Sequence, residues 1–276
     1  MAYVRRRCVF VLLGLVALLV PIGPLNVEAA VNDPGFSFRC YVSHRLPDDP
    51  IVYPGLPGQS HMHDFFGNTT TDAYSTTDSL RSGTSNCTID GNLSGYWIPT
   101  LFNAEQPVTA KYVNVYYRPG KKDKTKVKPF PAGLRMITGN SRATTPQKIG
   151  VVSWGCGANG IVYLHQYLPN CSAGYDLVLY VWFPDCWNGT TLDSADHKSH
   201  MAFAVNGACP AAYPVPVPQL VLSVHYPVRG GSGLYLASGG KYSGHADFMY
   251  GWDDAVLAGL VSRCINPGQT CRFIPQ

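Results

Sequence analysis

The sequence predicts a mainly β fold: a single-domain antiparallel β-sandwich of jelly-roll type, with one C-terminal helix and several disulfides. Three observations carry this. Apolar runs rich in β-branched and aromatic residues recur at short intervals. The turn formers, 28 Gly and 22 Pro in 276 residues, are spread along the whole chain without a linker or an internal repeat. One segment alone, late in the chain, has helical spacing. A β-rich α+β arrangement is the alternative, since a single helix can also pack at one end of an antiparallel sheet.

Taken in order, the chain opens with Arg5, Arg6 and Arg7, then an apolar stretch from Cys8 to Val20 that Pro21, Gly23 and Pro24 break. Val27-Glu28-Ala29 before Ala30 is a cleavage site in form, so residues 1–29 read as a secretory signal and 30–276 as one secreted domain. The stretch is shorter than the roughly 20 residues of a membrane span, so no stable anchor is expected after cleavage. Removal of the signal takes the net charge from +4 to +2, and nothing in that balance calls for nucleic acid.

Strands are predicted over Tyr96–Phe102, Lys111–Arg118, Asp176–Phe183, His200–Val205 and Gln219–Tyr226. Leu177 to Phe183 is apolar throughout and reads as a central strand. Asp253 or Asp254 caps the helix, whose apolar face carries Val256, Leu257, Leu260, Val261 and Cys264 before Pro267-Gly268 stops it. The basic run Arg118 to Lys128 reads as a solvated hairpin tip, with contact to an acidic wall polymer as the functional alternative. Asn68, Asn86, Asn92 and Asn188 stand in glycosylation sequons, which matter only in a eukaryotic host.

Eight cysteines follow the signal: Cys40, Cys87, Cys156, Cys171, Cys186, Cys209, Cys264 and Cys271. An even count in an exported chain predicts four disulfides, with Cys264–Cys271 and Cys156–Cys171 favoured by their short loops. The chain has no CxxC pair, which argues against a zinc–thiolate site.

Chemistry is concentrated at three histidine clusters. His61 and His63 stand two apart, beside Asp64; Asp196, His197 and His200 follow; His245 stands beside Asp247. A carboxylate near an imidazole fixes its tautomer, which serves metal ligands and general bases alike. The metal version draws on His61, His63, His200 and His245 with one Zn or Cu ion. The metal-free version uses His, Asp and Tyr side chains for acid–base work, a His as base beside a Tyr acid, with Arg135 or Lys241 steadying negative charge. The remaining His44, His165 and His225 read as structural. Glu105 is the single glutamate after the signal, which weakens an ordinary two-glutamate glycosidase. Tyr74, Tyr96, Trp97, Trp187, Tyr242, Trp252 and the neighbouring Asp253 are candidates for sugar contact.

The longer motifs are Gly58 to Gly67, Tyr96-Trp97-Ile98-Pro99, Phe130 to Met136, Cys186 to Gly189 with Leu192-Asp193-Ser194, His197 to Met201, and His245 to Phe248 with Gly251-Trp252-Asp253. By these the chain resembles the domain of unknown function numbered nineteen-ninety-six, found in exported actinomycete and fungal proteins. The resemblance implies no reaction. Fungal members often sit beside WSC modules, which implies a carbohydrate target by association alone. The expectation is therefore a secreted protein that acts on or binds cell-wall polysaccharide, cleaving a glycosidic bond by hydrolysis or β-elimination. The alternatives are a non-catalytic wall-binding protein and a metal-binding redox or scavenging protein.

Overall fold

The computed structural model describes residues 34–158 and 161–275, so the predicted signal lies outside them. In chain order the strands are β1 (Gly35–Cys40), β2 (Val42–Leu46), β3 (His63–Gly67), β4 (Gly95–Pro99), β5 (Leu101–Asn103), β6 (Gln106–Pro107) and β7 (Tyr112–Arg118). Then come β8 (Arg135–Gly139), β9 (Val152–Ala158), β10 (Ile161–His165), β11 (Asp176–Trp182), β12 (Cys186–Trp187), β13 (Met201–Ala202) and β14 (Val215–Pro216). The last four are β15 (Gln219–Tyr226), β16 (Leu234–Leu236), β17 (His245–Met249) and β18 (Thr270–Phe273). Helix α1 (Thr77–Arg81) is one turn, and α2 (Asp254–Leu260) runs on into a π-helical turn over Val261–Ile265.

A seven-stranded sheet, ordered β10-β9-β11-β15-β7-β1-β18, faces a five-stranded sheet, ordered β2-β3-β4-β17-β8. Within them only the β1–β18 pair is parallel. The alternation of side chains along each strand fills the space between the sheets. Phe38, Val115, Tyr117, Leu179, Leu222 and Val224 come from the larger sheet, and Phe66, Tyr96, Ile98, Met136 and Phe248 from the smaller. Burying a large apolar side chain contributes about 1.5–3 kcal/mol each, which makes this layer the main source of stability.

The predicted strands over Lys111–Arg118, Asp176–Phe183 and Gln219–Tyr226 lie in the larger sheet as β7, β11 and β15. The predicted strand over His200–Val205 shrinks to the two residues of β13. Its backbone is diverted to Asp185, whose amide donates to Ala202 O and whose carboxylate accepts from Ala204 N. The basic run is not wholly a solvated tip: Lys122 is buried and paired with buried Asp185. The sequons at Asn68 and Asn92 are buried too, with Asn68 Nδ2 donating to Leu80 O and Leu93 O at 2.8 Å each.

Four disulfides staple the sandwich: Cys40–Cys87, Cys156–Cys171, Cys186–Cys209 and Cys264–Cys271. No helix among the described residues is long and apolar enough to cross a membrane.

Candidate functional site

The site lies on the outer face of the five-stranded sheet. Successive residues of a strand point to opposite faces, so His63 and Phe65 share one face of β3 while Asp64 and Phe66 take the other. The register places His63 opposite Pro99 and Phe65 opposite Trp97 across β3–β4, and Asp247 opposite Trp97 across β4–β17. His63, Trp97, His245 and Asp247 therefore converge on one face, from strands whose order in the chain keeps them far apart. On the far side of β17, His245 pairs with Gly139, which has φ +82°. A Cβ at Gly139 would come within 2.8 Å of His245 Cα, so glycine lets the backbone close here.

Residues 47–62 roof this face. Ile51 packs with Phe65, Leu80, Trp97 and Met249, and the segment brings Asp48, Asp49 and His61 over the strands. His61 Nε2 lies 3.1 Å from His245 Nε2, and the His61 ring is 4.3 Å from the His63 ring. One donor atom from each of His61, His63 and His245 lies within 4.8 Å of the others. Asp49, His63 and Asp247 meet the same criterion.

Hydrogen bonds fix the tautomers. His63 Nδ1 donates to Asp48 O at 2.9 Å and His245 Nδ1 donates to Ser243 O at 2.9 Å. A carbonyl only accepts, so in the neutral rings both protons sit on Nδ1 and both Nε2 atoms carry a lone pair. His63 Nε2 is buried without a partner, as are both carboxylate oxygens of Asp247. Asp247 Oδ2 is 3.9 Å from His245 Nε2.

Burial sets the protonation. It lowers His61 to about 4 and His245 to about 3, and it holds His63 well below its ordinary value, with the fields of His61 and His245 adding to the effect. Burial raises the Asp247 carboxyl well above the usual range, and the neighbouring Asp49 pushes it further. Asp49 is itself raised by burial, against the pull of the Val52 and Ile51 amides. Three neutral imidazoles thus face two carboxyl groups in one desolvated recess.

The third predicted cluster lies alongside. The 192–200 segment is clamped to β8 by Arg135 N donating to Leu192 O, His200 Nε2 to Arg135 O and Lys198 Nζ to Gly139 O. His197 has φ +58°, and its Nδ1 donates to Asp193 Oδ1 at 2.8 Å. Arg135 also approaches Asp193, at 3.5 Å. The fields of His197 and Lys198 reach the recess, at Asp49 and at His245 and Asp247 respectively. His200 leaves the candidate ligand set. Its Nε2 is used on Arg135 O and its Nδ1 accepts from Ser194 Oγ at 2.9 Å, so the buried ring has no free nitrogen. Asp196 is exposed and caps its own loop, accepting from Ser194, Lys198 and Ser199.

Several sequence candidates sit elsewhere. Asp64 faces the interior, where Arg45 binds both of its oxygens and Thr100 donates at 2.8 Å. Tyr96 and Trp252 are core: Tyr96 Oη is 2.9 Å from Tyr117 Oη, and Trp252 Nε1 donates to the same oxygen at 2.9 Å. Trp97 is fully buried beneath the roof, leaving no ring face for a sugar. Trp187 donates to Thr191 O. Lys241 is exposed and Tyr242 half-buried in the turn before β17, where their carbonyls accept from Trp154 and Gln147. Asp253 caps α2. Exposed rings are found on the roof and on the segment joined to it by Gly55 N donating to Ala73 O: Tyr53, 37% exposed, and Tyr74, 64% exposed.

Sequence reasoning missed Asp49. Its signal is the Asp48-Asp49 pair ahead of Ile51, which reads locally as a turn because Asp49 Oδ1 accepts from the Ile51 and Val52 amides.

A family model, described as a domain of unknown function (DUF1996), matches residues 49–252. The chain belongs to this family. The matched span contains residues 49–62 of the roof, all three histidine clusters and both carboxyl groups of the recess. No curated protein and no solved structure matches the chain.

Proposed function

We propose that the protein is an exported enzyme of extracellular polysaccharide, with proton-transfer chemistry at the His61, His63, His245 and Asp247 recess. One observation carries the reading: the 3.1 Å approach of His61 Nε2 to His245 Nε2, 184 residues apart in sequence, beside a buried carboxylate that no other group binds. Buried polar groups left without partners cost stability, about 1–3 kcal/mol each, so such a cluster points to use rather than to packing. Neutral imidazoles beside a carboxyl group supply a base and an acid in one place. Export accords with the four disulfides and with the predicted signal. An extended polymer is supported by the exposed apolar side chains of Tyr53 and Leu56 on the roof and of Tyr74 on the segment joined to it.

The test is release of reducing ends from mixed wall polysaccharides by the mature protein and by His61→Ala, a change in a half-exposed roof residue. Release by wild type that falls at least 100-fold in the variant is expected. No release by wild type overturns the reading. The wall-binding alternative, favoured by the exposed Tyr53 and Tyr74 rings, then predicts retention on insoluble polysaccharide that Tyr74→Ala weakens.

A further inference from the structure

The recess has a second property that depends on no particular substrate. We infer that His61, His63 and His245 form a binding site for one divalent transition-metal ion, Zn²⁺ or Cu²⁺. The inference uses the same residues as the reading above but stands without polysaccharide as the target.

Donor chemistry is the first support. Imidazole nitrogen suits Zn²⁺ and Cu²⁺, whereas Mg²⁺ and Ca²⁺ demand oxygen ligands. Three histidines with no thiolate form a donor set that leaves a coordination position open. The recess includes no cysteine, since all eight after the signal are in disulfides.

Orientation is the second. The Ser243 and Asp48 carbonyls hold the Nδ1 protons of His245 and His63, so both Nε2 lone pairs are available without a change of tautomer. His63 is fully buried and its Nε2 has no partner, which is the condition of a ligand atom waiting for a cation. His61 Nε2 must donate to His245 Nε2 in the metal-free protein, because the latter has only a lone pair to offer. When a cation binds, that proton moves to Nδ1 or to solvent, and the Nε2 lone pair of His61 then faces the same point without a turn of the ring.

Distance is the third. Ligands 2.0–2.1 Å from a tetrahedral ion stand about 3.3 Å apart. The observed 3.1 Å between His61 and His245 is near that edge length, and the 4.8 Å limit for the whole set asks only for small side-chain rotations.

Charge is the fourth. Lys198 acts on His245 and Asp247 and opposes a cation, and His197 adds to this when protonated. Asp49 and Asp247 sit on the other side of the balance, both within 4.8 Å of His63 by one oxygen each. Burial favours the neutral form of both carboxyl groups in the metal-free protein, and a cation beside them would favour their ionisation, while the opposing lysine amine is already held on Gly139 O. A bound cation would also supply the partner that the Asp247 oxygens lack.

The experiment uses the mature secreted protein, stripped with a chelator and dialysed. Titration with Zn²⁺, Cu²⁺ and Mg²⁺, read by calorimetry and by metal analysis after gel filtration, should give one equivalent of Zn²⁺ or Cu²⁺ and no Mg²⁺. Co²⁺ should give the visible absorption of a low-symmetry nitrogen site. His61→Ala should weaken binding at least 100-fold with an unchanged melting temperature in the metal-free state. Tyr74→Ala, outside the ligand set, should bind as wild type. Failure to bind one equivalent, or wild-type binding by a folded His61→Ala, overturns the inference. Metal binding without polysaccharide cleavage overturns the enzyme reading alone. Cleavage by protein that binds no metal overturns the metal site alone.

Discussion

At the scale of single residues, the sheet face on which a side chain falls decides whether it is chemistry or scaffold. Asp64 stands next to His63 in sequence, yet the alternation of β3 sends it inward to Arg45 and Thr100. Breaking a buried pair by removing one partner leaves the other uncompensated. Arg45 keeps some solvent contact, so Asp64→Ala should cost about 2–3 kcal/mol, a fall in melting temperature of roughly 4–12 °C for a domain of this size. The same variant should bind metal with unchanged stoichiometry, because Asp64 lies on the opposite face from the recess. Loss of metal binding by folded Asp64→Ala would place the carboxylate in the site after all. The same reasoning accounts for Tyr96, which shares the inward face with Phe66. Burial between the sheets raises its hydroxyl to about 12, a core tyrosine rather than an acid at neutral pH.

Among the elements, α2 was the most legible because its signals are local. The Asp253 carboxylate accepts from the Ala255 and Val256 amides, and Leu257 and Leu260 are buried as the apolar spacing requires. The predicted continuation to Cys264 exists, but as a π-helical turn that places Cys264 against Cys271 for the disulfide that closes the shortest loop. Asp253→Ala removes two cap bonds and should lower unfolding free energy by about 1 kcal/mol, measured by denaturant titration. No change would mean that the disulfide holds this helix without its cap. The roof over the site is the opposite case. Residues 47–62 form no helix or strand, and neither hydrophobic period nor propensity announces them. Asp49 turns the chain and Ile51 anchors it on Phe65 and Trp97, contacts that exist only once the sheet has formed.

For the molecule as a whole, acid should act through buried histidines. His225, on β15 in the larger sheet and away from the recess, is lowered to about 4, mainly by burial. An unfolded histidine protonates near pH 6.5. Between those values the unfolded state binds the extra proton, so stability falls as pH drops through this window and levels off below about 4. The loss from pH 7 to pH 4.5 due to this residue should be about 2 kcal/mol. Denaturant titrations of wild type and His225→Phe at both pH values test it. The variant should lose about 2 kcal/mol less than wild type, and equal losses would remove His225 from the acid response.

The class of fold, the number of disulfides, the two short-loop pairings, the C-terminal helix and the family were legible in the chain alone, whereas Cys40–Cys87 and Cys186–Cys209 came only with the fold. The legible features rest on local patterns: apolar runs between turns, an even cysteine count, a cap followed by a 3.6-residue repeat, and motifs read along the chain. The sequence also marked His61, His63 and His245 as chemically unusual. Tertiary structure alone decided which marked residues meet. Strand order places β3 and β17 on either side of β4, and register aligns His63 with Pro99 and Asp247 with Trp97, information that no local window contains. It likewise withdrew His200, whose nitrogens are spent on Arg135 and Ser194, and added Asp49 from the roof. The physical reason is that propensity and periodicity act over a few residues, whereas a site is a meeting of side chains from distant segments. The packing of two sheets and one covering loop selects which of them remain without partners.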